Sequence, residues 1–203
     1  CSRACRRTSA RTTTTCAARW SVFSDATSGL AGYAGAIGTT PGGTYVQDYT
    51  AVGTTAATNG SLALTDGMIC YGTGRATDGV GNSATATSDG VTVDAGAPVA
   101  GAVNDGPGAD VDLQVSTTTI AANWRGFSDA TSGIAGYAWA VGTTPGGADT
   151  QSFADVGTAS TASNPALSLV SGTTYYVTVR ATDAVGNSAT AISDGVTVDA
   201  SAP

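Results

Sequence analysis

Hydrophobic and polar residues alternate along several short stretches of the chain. In TYYVTVRAT (174–182) every second residue is apolar, and the inward set is Tyr175, Val177, Val179 and Ala181. In STTTIAANW (116–124) the same alternation places Ile120, Ala122 and Trp124 on one face. Such alternation is typical of half-buried β-strands. Because these stretches are short and separated by turn residues, they predict an all-β antiparallel sandwich.

The strand pattern is written twice. FSDATSGLAGYAGAIGTTPGG recurs 104 residues later as FSDATSGIAGYAWAVGTTPGG, and RATDGVGNSATATSDGVTVDAGAP recurs 105 residues later as RATDAVGNSATAISDGVTVDASAP. A period of this length is one small domain rather than a solenoid repeat. The sequence therefore predicts two tandem domains, residues 1–98 and 99–203, with the first copy divergent at residues 1–12 and 68–74.

The charge inventory supports strands and excludes some functions. Among 203 residues, the eight basic residues are all arginine and the fifteen acidic residues are all aspartate, which gives a net charge of −7 without any histidine. Lysine and glutamate, which favour helices, are missing. A net negative charge argues against nucleic acid as a partner, and the chain has no apolar run long enough for a membrane span.

Two motifs resemble one known family. LVSGTTYYVTVRA (169–181) resembles the corner between the fifth and sixth strands of fibronectin type III domains, and IAANW resembles the second strand, which ends in a core tryptophan. ATDAVGNSA further resembles immunoglobulin-like repeats of large bacterial surface and secreted proteins. The resemblance implies two fibronectin type III-like sandwiches with Trp20 and Trp124 in their cores. It also implies that the Tyr175 hydroxyl bonds to the preceding loop.

The first copy of the sixth strand departs from this motif. Cys70 replaces the corner tyrosine, and Gly72 and Gly74 replace Val177 and Val179. Each lost valine is expected to leave a cavity that costs about 2–3 kcal/mol, with up to about 1 kcal/mol more for glycine in a strand. Losses of that size are a large part of the roughly 5–15 kcal/mol that stabilises a domain.

Three explanations of this departure stay open. Cys16, which aligns with the inward Ile120, would form a disulfide with Cys70 and restore about 4 kcal/mol; without a bond, the two would be small buried thiols. Alternatively, neighbouring molecules in an assembly support a weak domain. The third explanation is an error in the sequence of these stretches.

Catalytic and cofactor motifs are missing from the sequence. Without histidine or glutamate, the usual triads and glycosidase carboxylate pairs could only be built from Asp, Ser, Thr, Cys or Arg, and no Cys-x-x-Cys spacing points to zinc. We therefore expect a protein that is not an enzyme and has no certain cofactor.

Calcium at the joint between the domains is the leading chemical hypothesis. In the fold implied, the loops FSDATSG and TDAVGN lie at the pole where the chain enters the domain, so Asp129, Asp183 and Asn187 would meet Asp94 from the preceding strand. Carboxylate and amide oxygens suit Ca²⁺. The alternative, which the sequence favours, is that these side chains bond to their own backbone in turns. A further group, Asp105, Asp110 and Asp112, is expected to lie in a solvated linker.

Glycosylation is predicted on the threonine- and serine-rich stretches. Asn59 begins the sequon Asn-Gly-Ser, and the candidate O-linked positions are Thr54, Thr55, Thr158, Ser160 and Thr161. The alternative is ordinary threonine on a β-sheet surface.

These observations favour a non-catalytic extracellular or cell-surface module from a repeat-built stalk, fibre or adhesin. Its partners would be neighbouring copies of itself, joined head to tail through the arginine-rich start and the aspartates near the end, Asp194 and Asp199, together with surface glycans. The alternative function is an accessory or carbohydrate-binding region of a secreted enzyme.

Overall fold

The computed structural model describes residues 14–21 and 23–202, which form strands, turns and loops without a helix in those ranges. The predicted divergent stretch at residues 1–12 lies outside them. The chain divides into two compact units, Cys1–Ala95 and Gly96–Pro203, so the boundary falls three residues before the position predicted from the sequence. No helix in the part described is long and apolar enough to cross a bilayer.

The second domain is a two-layer sandwich. Its strands are β8 (Ala102–Asp105), β9 (Leu113–Gln114), β10 (Ile120–Arg125), β11 (Ile134–Gly142), β12 (Gln151–Gly157), β13 (Thr161–Asn164), β14 (Thr174–Asp183), β15 (Ser188–Ile192) and β16 (Val196–Val198). One sheet has the order β13-β10-β8, and the other has the order β12-β11-β14-β16-β9, with β15 also paired to β14. All of these pairs are antiparallel except β16 with β9, which is parallel.

The first domain repeats this arrangement with fewer described strands. They are β1 (Cys16–Arg19), β2 (Leu30–Gly38), β3 (Gln47–Val52), β4 (Ala56–Asn59), β5 (Ile69–Asp78), β6 (Ser83–Thr87) and β7 (Val91–Thr92). β1 pairs with β4 in one layer, and the other layer has the order β3-β2-β5-β6 with β7 also paired to β5.

Large side chains fill the core of the second domain. Trp124 ends the buried face of β10, and its ring meets the Tyr137 ring edge-on at a centroid distance of 5.7 Å. From the opposite sheet, Trp139 on β11 pairs in register with Val179 on β14, and both side chains are buried. Val177 is fully buried on the same strand. Alternation along each strand thus delivers one apolar face to the space between the sheets.

Glycines occupy the equivalent positions in the first domain. Gly35, aligned with Trp139, pairs in register with Gly74, aligned with Val179. A Cβ on Gly74 would lie 2.7 Å from Cε3 of the Trp20 indole, and a Cβ on Gly72 would overlap the Ala18 side chain. The prediction that Gly72 and Gly74 leave cavities is therefore wrong, because Ala18 on β1 and Trp20 immediately after it lie directly against the glycine backbone.

Candidate functional site

The most distinctive covalent feature is a disulfide inside the first domain. Cys16 on β1 and Cys70 on β5 are both buried and are bonded to each other across the two sheets. They occupy the positions that Ile120 and Tyr175 hold in the second domain. The bond therefore joins the two layers within a cluster of buried residues that includes Ile37, Leu62 and Val93.

The second domain has a tyrosine corner at this place. The Tyr175 hydroxyl accepts a hydrogen bond from the Val170 backbone N–H at 2.9 Å, and the side chain is 3% exposed. This contact fixes the loop before β14 against the core, as in the tyrosine corners of immunoglobulin-like sandwiches. Together with the strand order, it decides the class of sandwich. The fold is fibronectin type III-like.

The aspartates of the FSDATSG loops act as turn caps in both domains. Asp129 Oδ1 accepts from the backbone N–H groups of Thr131, Ser132 and Gly133 at 2.7–3.1 Å. These donors, Ser132 foremost, lower the pKa of Asp129 from its ordinary value. Asp25 Oδ1 accepts the same three bonds in the first domain. The sequence motif thus encodes a turn twice, and Gly133 completes it with a φ of 77° that few other residues adopt.

The aspartates that end β5 and β14 have a similar role. Asp183 Oδ1 accepts from the Val185 and Asn187 backbone N–H groups, while its Oδ2 accepts from the Asn187 side-chain amide at 2.8 Å. Asp78 and Asn82 repeat these contacts in the first domain, where the Asn82 side chain lowers the pKa of Asp78. The turn role is therefore present in each domain.

The predicted calcium ligands are divided between the domains. Asp94 belongs to the first, whereas Asp129, Asp183 and Asn187 belong to the second. Within the second domain, one carboxylate oxygen of Asp129 and one of Asp183 lie within 4.8 Å of each other. Both carboxylates accept hydrogen bonds from their own turns, and a calcium site that also includes Asp94 stays a prediction.

The expectation of a solvated linker at Asp105 is wrong. Asp105 ends β8, pairs in register with Ala122 of β10, and is 0% exposed, and its carboxylate Oδ2 accepts a hydrogen bond from the Gly195 backbone N–H at 3.0 Å. Only the other two members, Asp110 and Asp112, are exposed as expected. The available signal was the spacing of Val103 and Asp105, two residues apart and hence on one face of a strand.

The predicted glycosylation positions differ in their accessibility. The five O-linked candidates, Thr54, Thr55, Thr158, Ser160 and Thr161, are exposed. Asn59 is half-buried, and its side-chain amide donates to Gln47 Oε1. Asn164 donates to Gln151 in the same way, although it begins no sequon. The asparagine therefore has a structural role in both domains, and glycosylation stays a prediction.

Aromatic side chains on the outer sheet faces are covered by arginines. The Arg180 guanidinium lies over the Phe153 ring at 4.5 Å, and Arg75 lies over Tyr49 at 4.1 Å. Because each guanidinium occupies one ring face, that face is not free to stack on a sugar.

Comparison with known proteins gives a distant structural likeness. No protein-family profile matches the sequence, and no curated protein matches it. Among solved structures, the chain is similar to the crystal structure of chicken CNTN1 FN1-FN3 domains, with 19% sequence identity and a TM-score of 0.33. The match covers 92% of this chain and 63% of that one, so the chain spans less than two thirds of the solved fragment.

Proposed function

We propose that this chain is a non-catalytic structural module of an extracellular, repeat-built stalk, fibre or adhesin, of the kind found in bacterial immunoglobulin-like repeat proteins. A pair of fibronectin type III-like domains is in general terms a structural or binding module. The observation that carries the finer proposal is the Cys16–Cys70 disulfide, which replaces the tyrosine corner in one of two otherwise similar domains.

The disulfide supports a location outside the reducing cytosol. Protein disulfides persist in secreted and surface proteins and are kept reduced in most cytosols. In this chain the bond is built into the core of a domain, where both sulfurs are buried. Such a domain needs an oxidising compartment to reach its full stability.

The loop carboxylates support a structural rather than a catalytic role. In Asp25 and Asp129, one carboxylate oxygen accepts hydrogen bonds from three backbone N–H groups. The carboxylates of Asp78 and Asp183 each accept a hydrogen bond from the side chain of the asparagine four residues later. Hydrogen bonds to the charged form favour ionised carboxylates, and the pKa values of Asp25, Asp78 and Asp129 are lowered accordingly. A general acid at neutral pH needs the opposite shift.

The carbohydrate-binding alternative is less favoured. Sugar-binding surfaces commonly use open aromatic rings, whereas Tyr49 and Phe153 each carry an arginine on one face. Tyr45, at 93% exposure, is a single ring in a loop.

Head-to-tail assembly belongs to the same proposal. Asp194 and Asp199 are exposed near the end of the second domain, and five arginines lie within the first nineteen residues of the sequence, four of them outside the described part. Opposite charges at the two ends favour a heterologous contact, which repeats into an open filament.

The test uses protein isolated from its native source after thiol alkylation. We expect the linked pair of peptides that contain Cys16 and Cys70 to have a mass two daltons below the sum of the two reduced peptides. We also expect larger species to sediment as the protein concentration rises at low salt. Free thiols in the native material would contradict the extracellular proposal. A monomer at every concentration and salt level would contradict assembly.

A further inference from the structure

The second domain contains a buried carboxylate with one unsatisfied oxygen. Asp105 is 0% exposed, and its Oδ2 accepts a hydrogen bond from the Gly195 N–H. Its Oδ1 has no hydrogen-bond partner in the part of the chain that the structure describes. A buried carboxylate oxygen without a partner is costly, so this group favours a ligand that supplies positive charge.

Two further carboxylates converge on this residue from separate loops. Asp110 lies in the turn that follows β8, and Asp194 lies between β15 and β16; both are exposed. One carboxylate oxygen from each of Asp105, Asp110 and Asp194 lies within 4.8 Å of the others. Three negative charges therefore meet where the chain crosses from one sheet to the other.

The surrounding backbone fixes this arrangement. Asp110 Oδ1 accepts a hydrogen bond from the Asp105 N–H at 2.8 Å. The Asn123 side-chain amide donates to the carbonyl oxygens of Gly106 and Gly108 at 3.0 and 2.8 Å, which holds the loop in place. The carboxylates are thus preorganised rather than carried on a free tail.

We propose that the second domain binds a calcium ion through Asp105, Asp110 and Asp194. Calcium prefers six to eight oxygen ligands, so these carboxylates supply part of the coordination shell and water supplies much of the rest. A partly hydrated site of this kind is weak, with a dissociation constant on the order of 10⁻⁴–10⁻³ M, as in extracellular modules. Bound calcium would connect the crossover after β8 to the loop before β16, and so join the two sheets at this edge.

The site is specific to the second domain. In the alignment of the two copies, Asp194 matches Asp89, but Asp105 and Asp110 match Cys1 and Arg6. Both Asp194 and Asp89 are exposed, and each precedes a glycine in the same SDG sequence. Asp89 is therefore a matched control for Asp194.

The experiment is calcium titration of the full chain by isothermal titration calorimetry, with denaturant unfolding at fixed calcium. We expect Asp194→Asn and Asp110→Asn to remove one bound ion per chain, and Asp89→Asn to leave the stoichiometry unchanged. Calcium at about 100 times its dissociation constant should raise the folded-to-unfolded ratio of the second domain about 100-fold. Because Asp110→Asn keeps a side-chain oxygen acceptor for the Asp105 N–H, that variant is expected to fold.

Two outcomes would overturn the proposal. One is calcium binding by Asp194→Asn with the stoichiometry and affinity of the unsubstituted chain. The other is an equal stabilisation by magnesium and calcium that persists in Asp194→Asn, since this would report charge screening rather than a built site. The predicted site with Asp94 does not interfere, because none of its residues is changed in these variants.

Discussion

At the scale of the residue, the first domain shows how a core can be built around missing side chains. Gly35 and Gly74 pair in register, and the Trp20 indole lies against both. Because packing in protein interiors is dense, the position of the facing strand matters as much as the size of a side chain. Glycine in this strand is therefore matched to the tryptophan opposite it.

Exchanging one residue between the repeats tests this packing. We expect Gly74→Val to destabilise the first domain by about 1–3 kcal/mol, because the new side chain would overlap the Trp20 indole. Val179→Gly should destabilise the second domain by about 2–4 kcal/mol, through a cavity and the flexibility of glycine. Urea unfolding followed by tryptophan fluorescence measures both. An increase in stability of the Gly74→Val variant would contradict the close approach.

The tyrosine corner gives a second prediction for a single residue. Tyr175→Phe removes the acceptor for the Val170 N–H, so the second domain should lose about 1 kcal/mol. Tyr176→Phe is the control, because this half-buried ring lies on the opposite face of β14; we expect a change of about 0.5 kcal/mol or less. Equal effects of the two substitutions in thermal and urea unfolding would argue against a special role for the corner.

At the scale of the element, the same turn sequence is held differently in the two domains. After β11, Asp149 Oδ1 accepts from the Thr143 backbone N–H at 3.0 Å, and Oδ2 accepts from the Thr143 hydroxyl at 2.8 Å. The aligned residue of the first domain is Tyr45, which is 93% exposed and has no carboxylate to offer. The TTPGG turn of the second domain is therefore held by two additional hydrogen bonds between Thr143 and Asp149.

The stability that these two hydrogen bonds contribute should depend on pH. The Thr143 hydroxyl and N–H lower the pKa of Asp149 below its ordinary value of 3.8. The ionised carboxylate therefore contributes stability above pH 3.8, and this contribution is lost as pH falls through the lowered pKa. We expect the difference in unfolding free energy between the unsubstituted chain and Asp149→Ala to shrink in that acidic range.

Thr143→Val provides the control for the pH prediction. It removes the hydroxyl but keeps the backbone N–H, so a reduced dependence on pH should remain. The difference in unfolding free energy between the unsubstituted chain and Asp149→Ala could instead stay constant as pH falls through the lowered pKa. That result would show that Asp149 acts through packing rather than charge.

The elements were largely predictable from local sequence, whereas the contacts between them were not. Alternation in β10 correctly predicted the burial of Ile120, Ala122 and Trp124. The burial of Asp105 was missed because two glycines and one proline follow it, and its partner Gly195 is 90 residues away. The spacing of the sheets at Gly74 also depends on residues far away in the sequence, so no local sequence pattern predicts it.

At the scale of the whole molecule, the two domains should respond differently to reduction. The Cys16–Cys70 bond joins residues 54 positions apart, which in a chain-entropy treatment contributes about 4 kcal/mol. We expect a reducing agent to lower the unfolding free energy of the first domain by about this amount and to leave the second unchanged. Urea unfolding with and without reductant, followed by domain-specific proteolysis, measures both.

A matched double variant completes this prediction. Cys16→Ala with Cys70→Ala should behave in either buffer much as the unsubstituted chain does after reduction. If reductant also destabilised this double variant, the effect would have to arise elsewhere in the chain. Equal weakening of both domains would likewise contradict the assignment to the first domain.

The disulfide also sets how far the chain extends when it is pulled from its ends. A force applied there travels through the bond between Cys16 and Cys70 and bypasses the residues between them. At roughly 3.5 Å for each extended residue, about 190 Å of chain stays hidden until the bond is reduced. The unfolded first domain therefore extends less when it is oxidised than when it is reduced. The extension of the unfolded second domain is the same in either state.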